Sequence, residues 1–145
     1  MSAVATPKLF GVEIPFVHHL GFELVAMEGG ASELRYLPQR EHMNSFLVTH
    51  GGAVMTLLDV AMATAARSVE LETGVVTIEM KTTFMRPCQG LLTGKGRLMH
   101  RTKSMAFTEG TIYDSEGRAC AHATGTFKYV KRPAPSAPAN TISTD

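Results

Sequence analysis

The stretch AVMTLLDVAMATAARSVE, residues 53–70, constrains this chain more than any other. Val54, Leu57, Leu58, Ala61, Met62 and Ala65 recur at i, i+3, i+4, i+7, i+8 and i+11, the repeat of an α-helix. Its opposite face carries Met55, Ala63 and Ala66, where a surface helix would carry charges. Such a helix is expected to be buried all round, so the rest of the chain has to enclose it. After Gly74 come four strand-like stretches, VVTIEMKTTFMRP, LLTGKGRLMHRT, SMAFTEGTIYD and RACAHATGTFKYV. Residues 107–113 and 119–129 alternate as in an antiparallel sheet with one covered face. Asp114-Ser115-Glu116-Gly117 reads as a hairpin turn between the last two stretches. Ahead of the helix, residues 22–27 and 32–37 read as two shorter strands joined through Gly29-Gly30. Residues 14–20 read as a short helix ended by Gly21. The order predicts an α+β fold in which a curved antiparallel sheet wraps one long central helix.

A length of 145 residues suits one domain. Residues 14–130 are expected to form it, with a flexible N-terminus over 1–13 and a disordered tail over 131–145, KRPAPSAPANTISTD, which has too little apolar mass to pack. The 14 Lys plus Arg nearly balance 13 Asp plus Glu, which argues against nucleic acid or anionic membrane as a partner. No run approaches the ~18 apolar residues of a membrane span, and Pro7, Lys8, Glu13 and Pro15 interrupt any secretory pattern at the start. Cys88 and Cys120 form no C-x-x-C pair and no disulfide framework, so reduced thiols and a cytoplasmic location are expected.

Asp59 is out of keeping with its helix. An unpaired buried carboxylate is costly, and burial raises its pKa. It is either structural, bonding a neighbouring Thr or Arg or facing a subunit seam, or it does chemistry. The chemical reading gains from Thr49-His50-Gly51-Gly52 at the helix start, where free N–H groups favour negative charge and glycine admits a ligand to the backbone. A carbonyl becoming an oxyanion would be held by the Gly51 N–H, with Asp59 as base or nucleophile. Helix geometry sets the two ~12 Å apart along the axis. That separation is too long for one chain's groups to meet on one substrate, so they would have to meet across a dimer interface.

Asn44, His50-Gly51-Gly52, Leu58-Asp59, the stretch from Gly74 to Met80 and Phe84-Met85-Arg86-Pro87 together resemble the hotdog-fold acyl-CoA thioesterases of the 4HBT superfamily, in the phenylacetate-pathway branch. The resemblance spans residues 16–130. It implies hydrolysis of an acyl-CoA to acid and CoA without a cofactor, coenzyme A being part of the substrate. It also implies a homodimer or dimer of dimers with the active site between subunits. Asp59 would attack the thioester or activate water, the Gly51 N–H would polarise the carbonyl, Asn44 would place the nucleophile or water, and Thr77 would assist from the first strand after the helix. His50 and Gly52 would lie by the substrate, His50 alternatively holding the loop. Acidic aromatic relatives carry Glu at the position of Asp59 and Thr at that of Ala63, which disfavours a hydroxybenzoyl-type assignment.

Coenzyme A brings phosphates, for which Arg86, Arg101 and Lys103 are the basic candidates, although Thr102 stands where relatives have Gly. Phe16, Leu20, Phe46, Met55 and Met62 are expected to set acyl pocket size, and the methionines serve equally as core filler. The six histidines show no metal-ligand spacing, so no metal is expected. No G-x-S-x-G or P-loop occurs. Two alternatives stay open: a hydratase or dehydratase on 3-hydroxyacyl thioesters, and an acyl-CoA-binding protein without catalysis.

Overall fold

The computed structural model describes residues 10–132. The chain runs through α1 (Pro15–Leu20), β1 (Glu23–Glu28), β2 (Ala31–Tyr36), a 3-10 turn (Arg40–His42), α2 (Gly51–Arg67), β3 (Gly74–Phe84), β4 (Leu92–Arg101), β5 (Met105–Tyr113) and β6 (Ala119–Val130). Six strands form one antiparallel sheet in the order β1-β2-β4-β5-β6-β3. α2 lies against its concave face, chiefly over β4, β5 and β2. This is the α+β hotdog architecture, a curved sheet around one long helix.

Local chemistry explains the elements. α1 starts with Pro15 at its first position, where the missing N–H costs nothing, and ends at Gly21, whose φ of 79° lets its N–H turn back onto the Val17 and His18 carbonyls. Along β5, residues facing α2 are buried and the alternate ones are partly open, which is the period of two read from the sequence. α2 approaches the sheet most closely at Gly96: a Cβ there would overlap the Ala61 carbonyl, which also accepts a 2.6 Å hydrogen bond from the Ser32 hydroxyl.

Three expectations need correction. α2 is buried on the sheet side only. Gly52, Met55, Thr56, Asp59, Val60 and Ala63 form a stripe open to solvent or to cavities, because one curved sheet cannot close around a whole helix. Phe10, within the stretch 1–13 expected to be flexible, is fully buried, and its carbonyl accepts a 3.0 Å bond from Arg67 Nη1. Strict alternation over residues 119–129 would put Cys120 on the outer face with His122, Thr124 and Thr126, and it does not lie there. A register shift where β5 meets β6 leaves Cys120 bulged inward, its thiol donating to the Ile112 carbonyl at 3.4 Å. Residues 1–9, and the expected tail beyond Arg132, lie outside the described residues.

Candidate active site

Asp59 stands on the open stripe of α2, half-buried, and accepts a 2.6 Å hydrogen bond from the Thr77 hydroxyl of β3. A β-bulge makes that contact. β3 and β6 lose register between Thr77 and Glu79, leaving Ile78 as the extra residue. Thr77 pairs with buried Phe127 and so points toward the helix, whereas Glu79 pairs with Thr126 and accepts a bond from its hydroxyl on the outer face. With strict alternation Glu79 would share the Thr77 face and set a second carboxylate toward α2. Burial pushes the Asp59 pKa up, and the Thr77 bond pulls part of the way back. The carboxylate opens onto a cavity of about 470 Å³ walled by Ile14, Val60, Ala63, Val75 and Val76. A reachable carboxylate in apolar surroundings, held in one orientation, is equipped to act as a general base or nucleophile.

At the other end of the helix His50 is the N-cap, extended at φ −60° and ψ 138°, and its Nδ1 accepts the Gly52 N–H at 2.8 Å. The Gly52 N–H is thereby committed to the helix start. The Gly51 N–H has no acceptor among the described residues, and Gly51 lines a groove of about 380 Å³ with Asn44, Val54, Phe84, Arg86 and Cys88. The Phe84 ring packs over the Gly51 Cα. Asn44 Oδ1 accepts from the backbone N–H groups of Phe46 and Val48, at 2.9 and 3.3 Å, which folds the loop carrying Leu47 at a φ of 59°. Its role within the chain is therefore to hold the loop beside Gly51.

The fold thus joins Asp59 to Thr77, and Gly51 to Asn44 and Arg86, in two separate cavities. Arg101 is not a free cation at a pocket mouth: Nη1 donates to Glu70 at 3.1 Å, and the guanidinium stacks over the Tyr129 ring at 4.5 Å. Its pairing follows from β4 ending beside the chain that leaves α2. Lys103 is exposed in the bend after β4, and Arg86 is exposed beside the Gly51 groove. Among the pocket-size candidates, Met62 is fully buried in the core, whereas Phe16, Phe46 and Met55 are exposed. Sequence reasoning missed Arg67, which is buried and lines the Asp59 cavity. The signal was present, since Arg67 is eight residues after Asp59 and falls on the same helical stripe. Among the described residues no three His, Cys, Asp or Glu side chains gather as a metal set.

Residues 46–121, just over half of the chain, match the 4HBT pattern, described as the Thioesterase superfamily. The chain belongs to the thioesterase superfamily. Its enzyme class is thioester hydrolase. It is 28% identical over 109 residues to a protein of Saccharolobus solfataricus named as an esterase, covering 74% of this chain and 73% of that one. In three dimensions it is similar to a thioesterase family protein from Silicibacter pomeroyi, with a TM-score of 0.80 at 24% identity over 90% of this chain and 99% of the other. It is also similar to the E. coli PaaI protein of the phenylacetic acid degradation operon, with a TM-score of 0.78 at 20% identity over 88% and 93% of the two chains. These likenesses concern the fold. No helix among the described residues is long and apolar enough to cross a membrane.

Proposed function

We propose that this thioesterase hydrolyses an acyl-CoA to the free acid and CoA, with Asp59 of one subunit and the Gly51 N–H of another acting on the same thioester. The observation that carries the reading is the pairing of Asp59 with Thr77 on the one open stripe of α2, beside a cavity of acyl size. The thioester carbonyl accepts from the Gly51 N–H, and charge developing on its oxygen is favoured there by the helix dipole. Asp59 either attacks the carbonyl carbon, breaking the C–S bond to expel CoA as its thiolate and giving a mixed anhydride that water then opens, or takes a proton from the water whose attack expels the thiolate. Thr77 fixes the carboxylate rotamer, Asn44 holds the loop, His50 caps the helix, and Arg86 and Lys103 remain free to meet the CoA phosphates. Nothing in this scheme calls for a cofactor or metal.

The arrangement of two copies follows from β3. It is an eleven-residue edge strand along which Val76, Ile78 and Phe84 are exposed. An unpaired edge this long is a template for pairing, and pairing it with a second β3 extends the sheet and sets two open stripes face to face. We read the unit as a homodimer, alone or doubled into a tetramer, working in the cytoplasm, where the two free thiols stay reduced.

CoA release from phenylacetyl-, benzoyl-, hexanoyl- and palmitoyl-CoA, followed with a thiol reagent, tests the reading. Turnover of at least one member that disappears in Asp59→Asn is the expected result. Retained turnover in that variant removes Asp59 from the mechanism, and tight acyl-CoA binding with no release in either protein makes this a binding protein.

A further inference from the structure

The cavity beside Asp59 has a cationic far end. Its apolar wall of Ile14, Val60, Ala63 and Val75 leads to Arg67, with Lys131 and Arg132 at the rim. Arg67 is only 6% exposed. Its Nη1 and Nε donate to the Phe10 and Thr73 carbonyls at 3.0 and 3.5 Å, and among the described residues no carboxylate lies within ion-pair distance of it. Arg132 adds a second guanidinium nearby, packed over Gly74. Burial and the Arg132 charge both work against the protonated form of Arg67. A buried guanidinium held only by neutral carbonyls is costly, and Arg is the residue whose fork best takes a carboxylate or phosphate. Glu13 also lines the cavity but is exposed and unpaired with Arg67 among the described residues.

We infer that this cavity selects acyl thioesters whose chain ends in a carboxylate, that is, the monothioesters of medium-length dicarboxylic acids. This rests on the reading of Asp59 as the group that acts on the thioester. Asp59, Ala63 and Arg67 follow one another at i, i+4 and i+8, so the groove runs ~12 Å along one helix face from reaction centre to cation. The reacting carbonyl sits at Asp59, the methylenes lie on Val60, Ala63 and Val75, and the terminal carboxylate meets Arg67 with Arg132 behind it. A methyl or phenyl end in that place would leave the guanidinium desolvated and unpaired, and such a mismatch gives a site its power to reject a substrate. The anion could instead be a CoA phosphate. The pantetheine arm that separates the CoA sulfur from its phosphates is longer than this groove, which favours the acyl carboxylate.

The test measures kcat/KM for hexanedioyl-, octanedioyl- and decanedioyl-CoA against hexanoyl-, octanoyl- and decanoyl-CoA, and for the same acyl groups on N-acetylcysteamine, which lacks phosphates. At the best chain length the diacid is expected to exceed the monoacid by about tenfold or more on both carriers. In Arg67→Gln, which keeps an amide donor and loses the charge, that ratio falls to about one, and Arg67→Lys recovers part of it. Arg132→Gln lowers the same ratio, and it supplies the test if the Arg67 variants do not fold. Equal or poorer turnover of the diacids by the wild type overturns the inference while leaving thioester hydrolysis intact. So does an Arg67 effect equal on all CoA substrates and absent on N-acetylcysteamine, which would assign the cations to phosphate. If no thioester is cleaved, the hydrolytic reading falls. Calorimetry with Asp59→Asn then decides the selectivity alone, tighter binding of octanedioyl- than octanoyl-CoA supporting it and equal binding overturning it.

Discussion

The Asp59 carboxylate carries its charge in surroundings that disfavour it, and this couples stability to activity in opposite senses. Burial lifts its pKa in the folded chain above the ordinary aspartate value. The group therefore favours the folded state most below its unfolded pKa, and that contribution is lost as pH rises through the folded value. At neutral pH Asp59→Asn is expected to melt no lower than the wild type, with any gain shrinking as the medium is acidified and the wild-type carboxyl protonates. Thermal melts across pH check this. The same variant is expected to lose kcat by about three orders of magnitude or more. Thr77 sets the other limit. Its hydroxyl bond lowers the Asp59 pKa against the burial effect, so Thr77→Val is expected to move the acid limb of the kcat/KM profile to higher pH, and Thr77→Ser to leave it near the wild-type position. A profile that does not move in Thr77→Val would remove this bond from the titration.

α2 is held in place by its N-terminus and by its closest approach to the sheet. The His50 ring accepts the Gly52 N–H and caps the helix, so His50→Ala is expected to cost about 1 kcal/mol in denaturant unfolding, with His50→Asn restoring most of it. Gly96→Ala sets a methyl group against the Ala61 carbonyl, a backbone atom that cannot turn aside, and is expected to cost about 3 kcal/mol. The elements themselves were legible because each repeats a simple period: 3.6 in α2, two in β5, with glycines at the turns. Asp59 was legible as the one charge within an apolar repeat. What periodicity could not supply were the irregularities. The bulge at Ile78 turns Thr77 toward Asp59 and Glu79 away, and a two-residue count gives no notice of it. The Arg101 pairing with Glu70 joins residues 31 positions apart, and Cys120 turns inward through another register shift. The cavity with Arg67 at its end needs the N-terminal segment and the end of β6 to meet over α2, which no local pattern encodes.

On the proposed mechanism a single chain holds only half of each site. Asp59 and Gly51 line different cavities, and among the described residues the long strand β3 has no partner on its outer edge and nothing covers the helix stripe that bears Asp59. One operation, pairing two copies along β3, removes all three deficits. In the proposed dimer each site takes its carboxylate from one subunit and its carbonyl-binding amide from the other. Gly51→Pro removes the amide N–H and fills the space beside it. Proline is tolerated at the first position of a helix, and the extended His50 ahead of it already has the backbone that a following proline requires, so the variant deletes the N–H and keeps the helix. The decisive measurement is thioesterase activity after co-folding equal amounts of Asp59→Asn and Gly51→Pro chains, each inactive alone. A shared site predicts that mixed dimers regain one working centre, giving about one quarter of wild-type activity with random pairing. Activity that stays at the level of the separate variants, with mixed dimers shown to have formed, would contradict it.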